Sequence, residues 1–437
     1  MNRLLKICMA ALAGGYLFAS VPLRAADPYE PSPDNREARA RFADGRFGIF
    51  LHWGIYSLFG QGEWYLNNAG LDPTEYAKAA GAFYPHRFDA RAWVTAFKQA
   101  GARYVCLTAR HHDGFSMWPT DCSAYSMAAT PSGRDIVGEL ADECHRQGLG
   151  FHLYYSLIDW TRTDYPAGWT GRSKGHADEA DYDAYLDFMK RQLSELLTRY
   201  GRVDCIWLDG MWDHNRDSTA FAWRMEELYS HIHALQPACL IGNNHHVAPL
   251  PGEDIQIFER DVPGENKAGF SAGQPVARLP LETCQTMNGS WGYAVADNRY
   301  KSTATLIRLL ARTAGKGANL LLNVGPQPDG ALPEKSLTRL DSMGRWLARY
   351  GETIYGTEAG PWHAGDSIVT TRRGNRLFLH VLSPNVEEVE LPVPFRVRSV
   401  RTLADDSTPR HTAHNGLLRI YGLEIDRSCP DYVIEIK

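Results

Sequence analysis

The sequence predicts an α/β fold: a TIM-like (β/α)8 barrel followed by a small C-terminal antiparallel β-sandwich. Three observations lead there. Eight short apolar runs of strand length recur between residues 46 and 325. Segments with apolar residues at helical spacing separate most of them, and several end in glycine just before the next run, a usual helix stop. After residue 356 the pattern turns to alternating apolar and polar residues, broken by turns, with no long helix. Strands alternating with helices through a stretch of this length point to a parallel barrel. The runner-up, an open doubly wound sheet, is weakened because no G-x-G-x-x-G follows the first strand.

Taken in order, residues 1–25 read as a signal peptide. Arg3 and Lys6 supply positive charge, 7–21 is an uncharged apolar run, and Ala25 and Ala26 are small enough for cleavage. The run is too short and glycine-rich for a membrane span. Its removal takes away Arg3, Lys6 and Arg24 and no acid, moving the formal charge from −5 to −8. The expectation is a periplasmic or secreted chain with no affinity for nucleic acid and no membrane insertion after cleavage. Of the seven remaining cysteines none forms a C-x-x-C pair, and Cys106, Cys205, Cys239 and Cys284 fall in apolar runs, where cysteine acts as a small hydrophobe. A disulfide framework or four-cysteine zinc site is therefore not expected.

Residues 26–36, rich in Pro, Asp and Ser, read as a linker opening the catalytic barrel of residues 26–355. Strands are predicted at 46–53, 102–109, 149–156, 203–209, 239–244, 255–259, 281–286 and 319–325. Helices are predicted at 89–101, 134–148, 181–201, 218–236 and 302–315, and a long loop joins the sixth strand to the seventh. Residues 356–437, with alternation in 366–383, 387–404 and 417–437 and a turn at Gly374-Asn375, make the sandwich.

In a barrel the working face lies at the C-terminal ends of the strands. The polar residues gather there. His52 and Trp53 end the first strand, 62-GEWY-65 follows, and 110-RHHDGFSMW-118 follows the second. Tyr154 and Tyr155 end the third, Asp209 the fourth, 243-NNHH-246 the fifth and Glu259-Arg260 the sixth; Glu282 leads through the seventh to 290-SWGY-293. Histidines, aromatics and acids together suit a neutral sugar, which offers hydroxyls and an apolar ring face. Glycosidic cleavage needs two carboxyl groups, one ionised and one holding a proton at a raised pKa. Asp209 suits the first role; Glu259, Glu265 and Glu282 are candidates for the second. Two other classes compete: a metal-dependent hydrolase using the histidines with Asp209, and a non-catalytic sugar-binding barrel.

The segments 47-FGIFLHWGIYS-57, 62-GEWY-65, 104-YVCLTARHHDGFSMW-118, 206-IWLDG-210, 281-LETCQTMNGSWGY-293 and 318-ANLLLNVGP-326 resemble the retaining α-L-fucosidases of glycoside hydrolase family twenty-nine. The resemblance covers nearly the whole chain after the leader. It implies an exo-acting hydrolase of terminal α-L-fucosyl linkages with no metal or organic cofactor and a fucosylated glycan as partner. By position it implies Asp209 as nucleophile and His52, Glu63, Trp64, His111, His112 and Tyr154 (Tyr155 by a slip of register) as sugar contacts, with Trp291 as an aromatic wall. Many members carry N-D-R-W after the fifth strand, where this chain has Asn243-Asn244-His245-His246, so His245 is the candidate to replace the arginine. The acid/base is variable in such proteins; Glu259 is favoured here over Glu282.

Overall fold

Why the chain lays down a barrel is legible at the helix starts. Asp89, Asp135, Asp181 and Ser302 each accept a backbone amide hydrogen bond at the head of a helix, satisfying donors that a helix leaves free. The computed structural model describes residues 29–171, 180–393 and 395–437. The expected signal peptide lies outside the described residues.

Eight strands form one sheet: β1 Phe47–Leu51, β2 Tyr104–Arg110, β3 Gly150–Ser156, β4 Cys205–Asp209, β5 Leu240–Asn244, β6 Gln256–Glu259, β7 Leu281–Thr286 and β8 Ala318–Val324. Their order is β5-β4-β3-β2-β1-β8-β7-β6, and every ladder is parallel. The ring closes between β5 and β6 through a single bridge, Gly242 with Ile255, helped by the amides of Asp254 and Ile255 donating to the Ile241 carbonyl. Asp254 pins that joint. Its carboxylate accepts from Arg39, Tyr29, His233 and the Ile241 amide.

Helices at Ala90–Gln99, Ile136–Gln147, Tyr182–Arg199, Met225–Leu235 and Thr303–Gly315 sit close to expectation. The fourth starts at Met225 rather than 218, because Arg224 turns left-handed at φ 53°. Two helices go beyond the sequence reading. Pro33–Gly45 begins inside the supposed linker of residues 26–36 and runs beyond it, with Ser32 capping the Asn35 amide and proline at the first turn. Glu334–Tyr350 precedes the C-terminal strands. No helix interrupts residues 260–280, the predicted long loop.

Period-two alternation sorts the strand residues. Ile49, Leu51, Val105, Leu107, Ile206, Leu208, Leu320 and Leu322 point outward and pack against the helices. Phe50, Cys106, Tyr154, Cys205, Trp207, Ile257 and Cys284 fill the barrel interior. None of the seven described cysteines is disulfide-bonded.

Beyond the barrel, a five-stranded antiparallel sheet (Val400–Thr402, Tyr432–Ile436, Arg376–Val381, Ile368–Arg373, Glu358–Ala364) faces a three-stranded one (Glu388–Pro392, Leu417–Tyr421, His411–His414). Leu377, Leu379, Val389, Leu391, Leu418, Ile420 and Ile434 make their shared core, the expected sandwich. It is tied to the barrel by Arg308, which donates to the Pro430 carbonyl, and by a knot of four charges. Arg312 bridges Glu265 at 2.6 Å and Asp366 at 2.7 Å, and Lys267 reaches the same two carboxylates.

Candidate active site

At the C-terminal end of the barrel lies a cavity of about 410 Å³. Alternation decides what enters it. Cys205, Trp207 and Asp209 share the inward face of β4, so the carboxylate that closes this apolar run stands over the barrel interior. It is nine-tenths buried. Tyr154 Oη donates to its Oδ2 at 2.9 Å, Trp212 Nε1 donates to its Oδ1 at 3.0 Å, and Asn244 Nδ2 lies 3.3 Å from Oδ1. These donors favour the anion, while burial and the neighbouring Glu259 oppose it; the balance pushes the pKa of Asp209 up to about 6.

Glu259 ends β6 and lines the same cavity. Asn244 Nδ2 donates to its Oε2 at 2.9 Å, and His246 Nε2 approaches the same oxygen at 3.3 Å. One amide nitrogen thus touches both carboxylates. Their nearest oxygens can be no more than about 6 Å apart, close to the ~5–5.5 Å of retaining glycosidases and short of the ~6.5–9.5 Å of inverting ones. Burial works to raise the Glu259 pKa, but His246, Asn244 and Arg260 outweigh it and hold the group below its ordinary value. The elevation expected of the acid is therefore found on Asp209 instead, because His246 and Arg260 stand on the Glu259 side of the pair.

The remaining wall is built from the strand ends and their loops. His52, Glu63, Trp64, His111, His112, Tyr154 and Trp291 all line the cavity. Burial drives His52 and His112 down to about 3 and His111 well below its usual value, so the three rings are neutral. Their tautomers follow from their partners. Ser156 Oγ donates to the Ile158 carbonyl, so it accepts from His112 Nδ1 at 2.6 Å, leaving Nε2 with a lone pair 3.6 Å from Asp209 Oδ2. Asn323 Nδ2 donates to the Trp291 carbonyl, so its Oδ1 accepts from His52 Nδ1 at 2.6 Å. His111 stacks on Tyr154 at 5.4 Å, and its buried Nδ1 has no partner. Glu63 accepts the Gly292 amide at 2.7 Å, joining the GEWY loop to the SWGY loop, and burial raises its pKa. Trp64 stacks on Trp212 at 5.7 Å and meets His112 edge-on.

One expected sugar contact, His245, lies elsewhere, and the alternatives Tyr155, Glu282 and Glu265 do not line the cavity. His245 does not face the cavity: on β5 the inward positions are even-numbered, so its ring turns outward and bonds Glu253 at 2.9 Å. Asn244 and His246 take the inward places. Tyr155 likewise points outward, to Gln192, which leaves Tyr154 at the site. Glu282 sits at full burial one layer beneath the cavity, where Tyr104 Oη donates to it at 2.6 Å and Trp207 Nε1 at 2.8 Å. Burial pushes it up to about 7. Glu265 pairs with Arg312 in the charged knot, away from the cavity. Sequence reasoning missed Trp169, Trp212, Asn244, His246, Arg260 and Phe270 as lining residues. The signal for Asn244 and His246 was available: strict alternation from Leu240. Among the described residues no group of three His, Cys, Asp or Glu side chains is arranged to hold a metal ion.

The chain is similar to known proteins along most of its length. The family model for alpha-L-fucosidase matches residues 17–352. The tissue alpha-L-fucosidase of Bos taurus is 31% identical over 395 residues, spanning 81% of this chain and 77% of its own. The structure of alpha-L-fucosidase isoenzyme 1 from Paenibacillus thiaminolyticus superimposes with a TM-score of 0.81 at 33% identity, covering 92% of this chain and 99% of that one. A Bacteroides thetaiotaomicron alpha-L-fucosidase, solved as a trapped covalent intermediate with 2-fluoro-fucosyl fluoride, superimposes with a TM-score of 0.79 at 25% identity over 94% of this chain and 98% of that one. With that family model matched across the barrel and its strand-end loops, the chain belongs to the alpha-L-fucosidase family, the glycoside hydrolases of family twenty-nine.

Proposed function

We propose that the protein removes terminal α-L-fucosyl residues from glycans by double displacement, with Asp209 as nucleophile and Glu259 as acid/base. The supporting observation is the bridging amide of Asn244, which holds the nearest oxygens of the two carboxylates to about 6 Å or less, short of the ~6.5–9.5 Å of inverting enzymes. In the first step an Asp209 oxygen bonds the anomeric carbon, the glycosidic C–O bond breaks, and the departing oxygen takes the Glu259 proton. In the second, Glu259 takes a proton from water, the water oxygen bonds the anomeric carbon, and the ester to Asp209 breaks. The strand position makes Asp209 rigid, and Tyr154 and Trp212 steer its two oxygens.

Sugar binding follows from the donor inventory. His52 and His112 present bare Nε2 lone pairs, so they accept from sugar hydroxyls, and Trp291 offers a flat face. Glu259 is the stronger acid of the pair, so a shared proton rests mainly on Asp209, and turnover runs through the minority form with the proton on Glu259 and the charge on Asp209. The apolar leader suits export before this chemistry is used; sequencing the N-terminus of protein recovered outside the cytoplasm tests that.

The decisive experiment is Asp209→Gly with an aryl α-L-fucoside. Hydrolysis falls by a factor of ~10³ or more, and azide restores turnover as β-fucosyl azide. Full activity without azide removes Asp209 from the role.

A further inference from the structure

The sequence reading gives His246 no role in the fucosidase site, yet it is built into that site at a backbone cost. Its φ is 65°, a left-handed conformation uncommon for a residue with a Cβ. Its ring lies over the exposed Phe270, with centroids 5.2 Å apart. Nε2 stands 3.1 Å from Asn244 Oδ1 and 3.3 Å from Glu259 Oε2. Asn244 spends its Nδ2 on the two carboxylates, so both atoms facing His246 accept, and Nε2 must carry a hydrogen. Resting on the reading of Glu259 as acid/base, we propose that His246 is a positioning residue that sets the proton affinity of Glu259 and, through Asn244, keeps it aligned with Asp209.

The other groups around Glu259 are accounted for. Asp209 faces it from β4, the two acids opposing each other's ionisation so that the rise falls on Asp209; Arg260, 4.0 Å away, lowers the proton affinity of Glu259. His52 and Glu63 face it across the cavity, and Cys284 stands on the adjoining strand β7. His52 is neutral and Cys284 is a buried thiol, so His246, Asn244 and Arg260 are the donors opposing two acids. Only His246 also reaches Asn244. The effect matters most in the second step. Asp209 is then esterified, and Glu259 must be ionised to take a proton from water.

That step isolates the test. Enzyme trapped with 2-fluoro-fucosyl fluoride reactivates at a rate that rises with pH through the Glu259 pKa alone, uncoupled from Asp209. In His246→Asn the side chain tolerates the left-handed backbone but falls short of Glu259. Loss of a donor to the anion raises the pKa, so the ascending limb moves up by about one pH unit. His246→Gln extends an amide hydrogen to the same place and returns the limb toward the wild-type position. A limb unmoved in His246→Asn overturns the proposal. Glu259→Gln separates the two readings: it abolishes the limb if Glu259 is the base, and a limb that persists there refutes the acid/base assignment instead. If His246→Asn fails to fold, His246→Gly, which takes a left-handed backbone without strain, carries the same expectation.

Discussion

Tyr154 and Trp212 each give one hydrogen to Asp209, and removing either leaves its anion with one donor fewer. Tyr154→Phe leaves the ring stacked on Trp207 and removes only the hydroxyl. The Asp209 anion is then less stabilised, so its pKa climbs above about 6; because the active form carries its proton on Glu259, the plateau of kcat/KM falls and the descending limb, which breaks at the Asp209 pKa, moves to higher pH. A loss of roughly tenfold in kcat/KM near pH 5 is expected. In the unmodified enzyme the bell centres below pH 6, since Asp209 titrates near 6 and Glu259 lower. Glu282 gives a stability counterpart. Its folded pKa of about 7 exceeds the ordinary carboxyl value, so its contribution is complete at low pH and is lost as pH rises through 7. Glu282→Gln removes the buried charge, with its Oε1 accepting from Trp207 Nε1 and its Nε2 donating to Tyr104 Oη. Thermal melts should show little change at pH 5 and stabilisation of up to roughly 3 kcal/mol well above pH 7.

At the scale of elements, the joint between β5 and β6 is the least bonded in the ring, and Asp254 holds it. Asp254→Ala strands Arg39 and a buried amide and costs about 3–5 kcal/mol, read as a fall in denaturation midpoint. The Asp254 pKa lies below its usual value, so the stabilisation it brings persists above the unfolded pKa and disappears as pH falls through the folded one. Strand identity was readable because each barrel strand is an apolar run bounded by a helix stop and a strand-end polar residue. What the runs could not give was facing. His245 and His246 are adjacent and chemically alike, and only the register from Leu240 tells which one turns inward. The helix Pro33–Gly45 was hidden because Pro, Asp and Ser mark a helix start as readily as a linker. Glu259 was readable from its position at a strand end. The bridge through Asn244 was not, since it depends on β4, β5 and β6 converging on one amide.

For the molecule as a whole, the sandwich touches the catalytic end through the loop that follows Glu259. That loop carries Phe270 at the cavity rim and Glu265 and Lys267 in the charged knot with Arg312 and Asp366. Lys267 and Asp366 are more than half exposed, so mobile ions reach the knot freely. The far module therefore works as a tether whose grip on the rim loosens with ionic strength. Raising salt from about 0.05 M to about 1 M should increase KM for bulky fucosylated glycans while leaving that for a small aryl fucoside nearly constant.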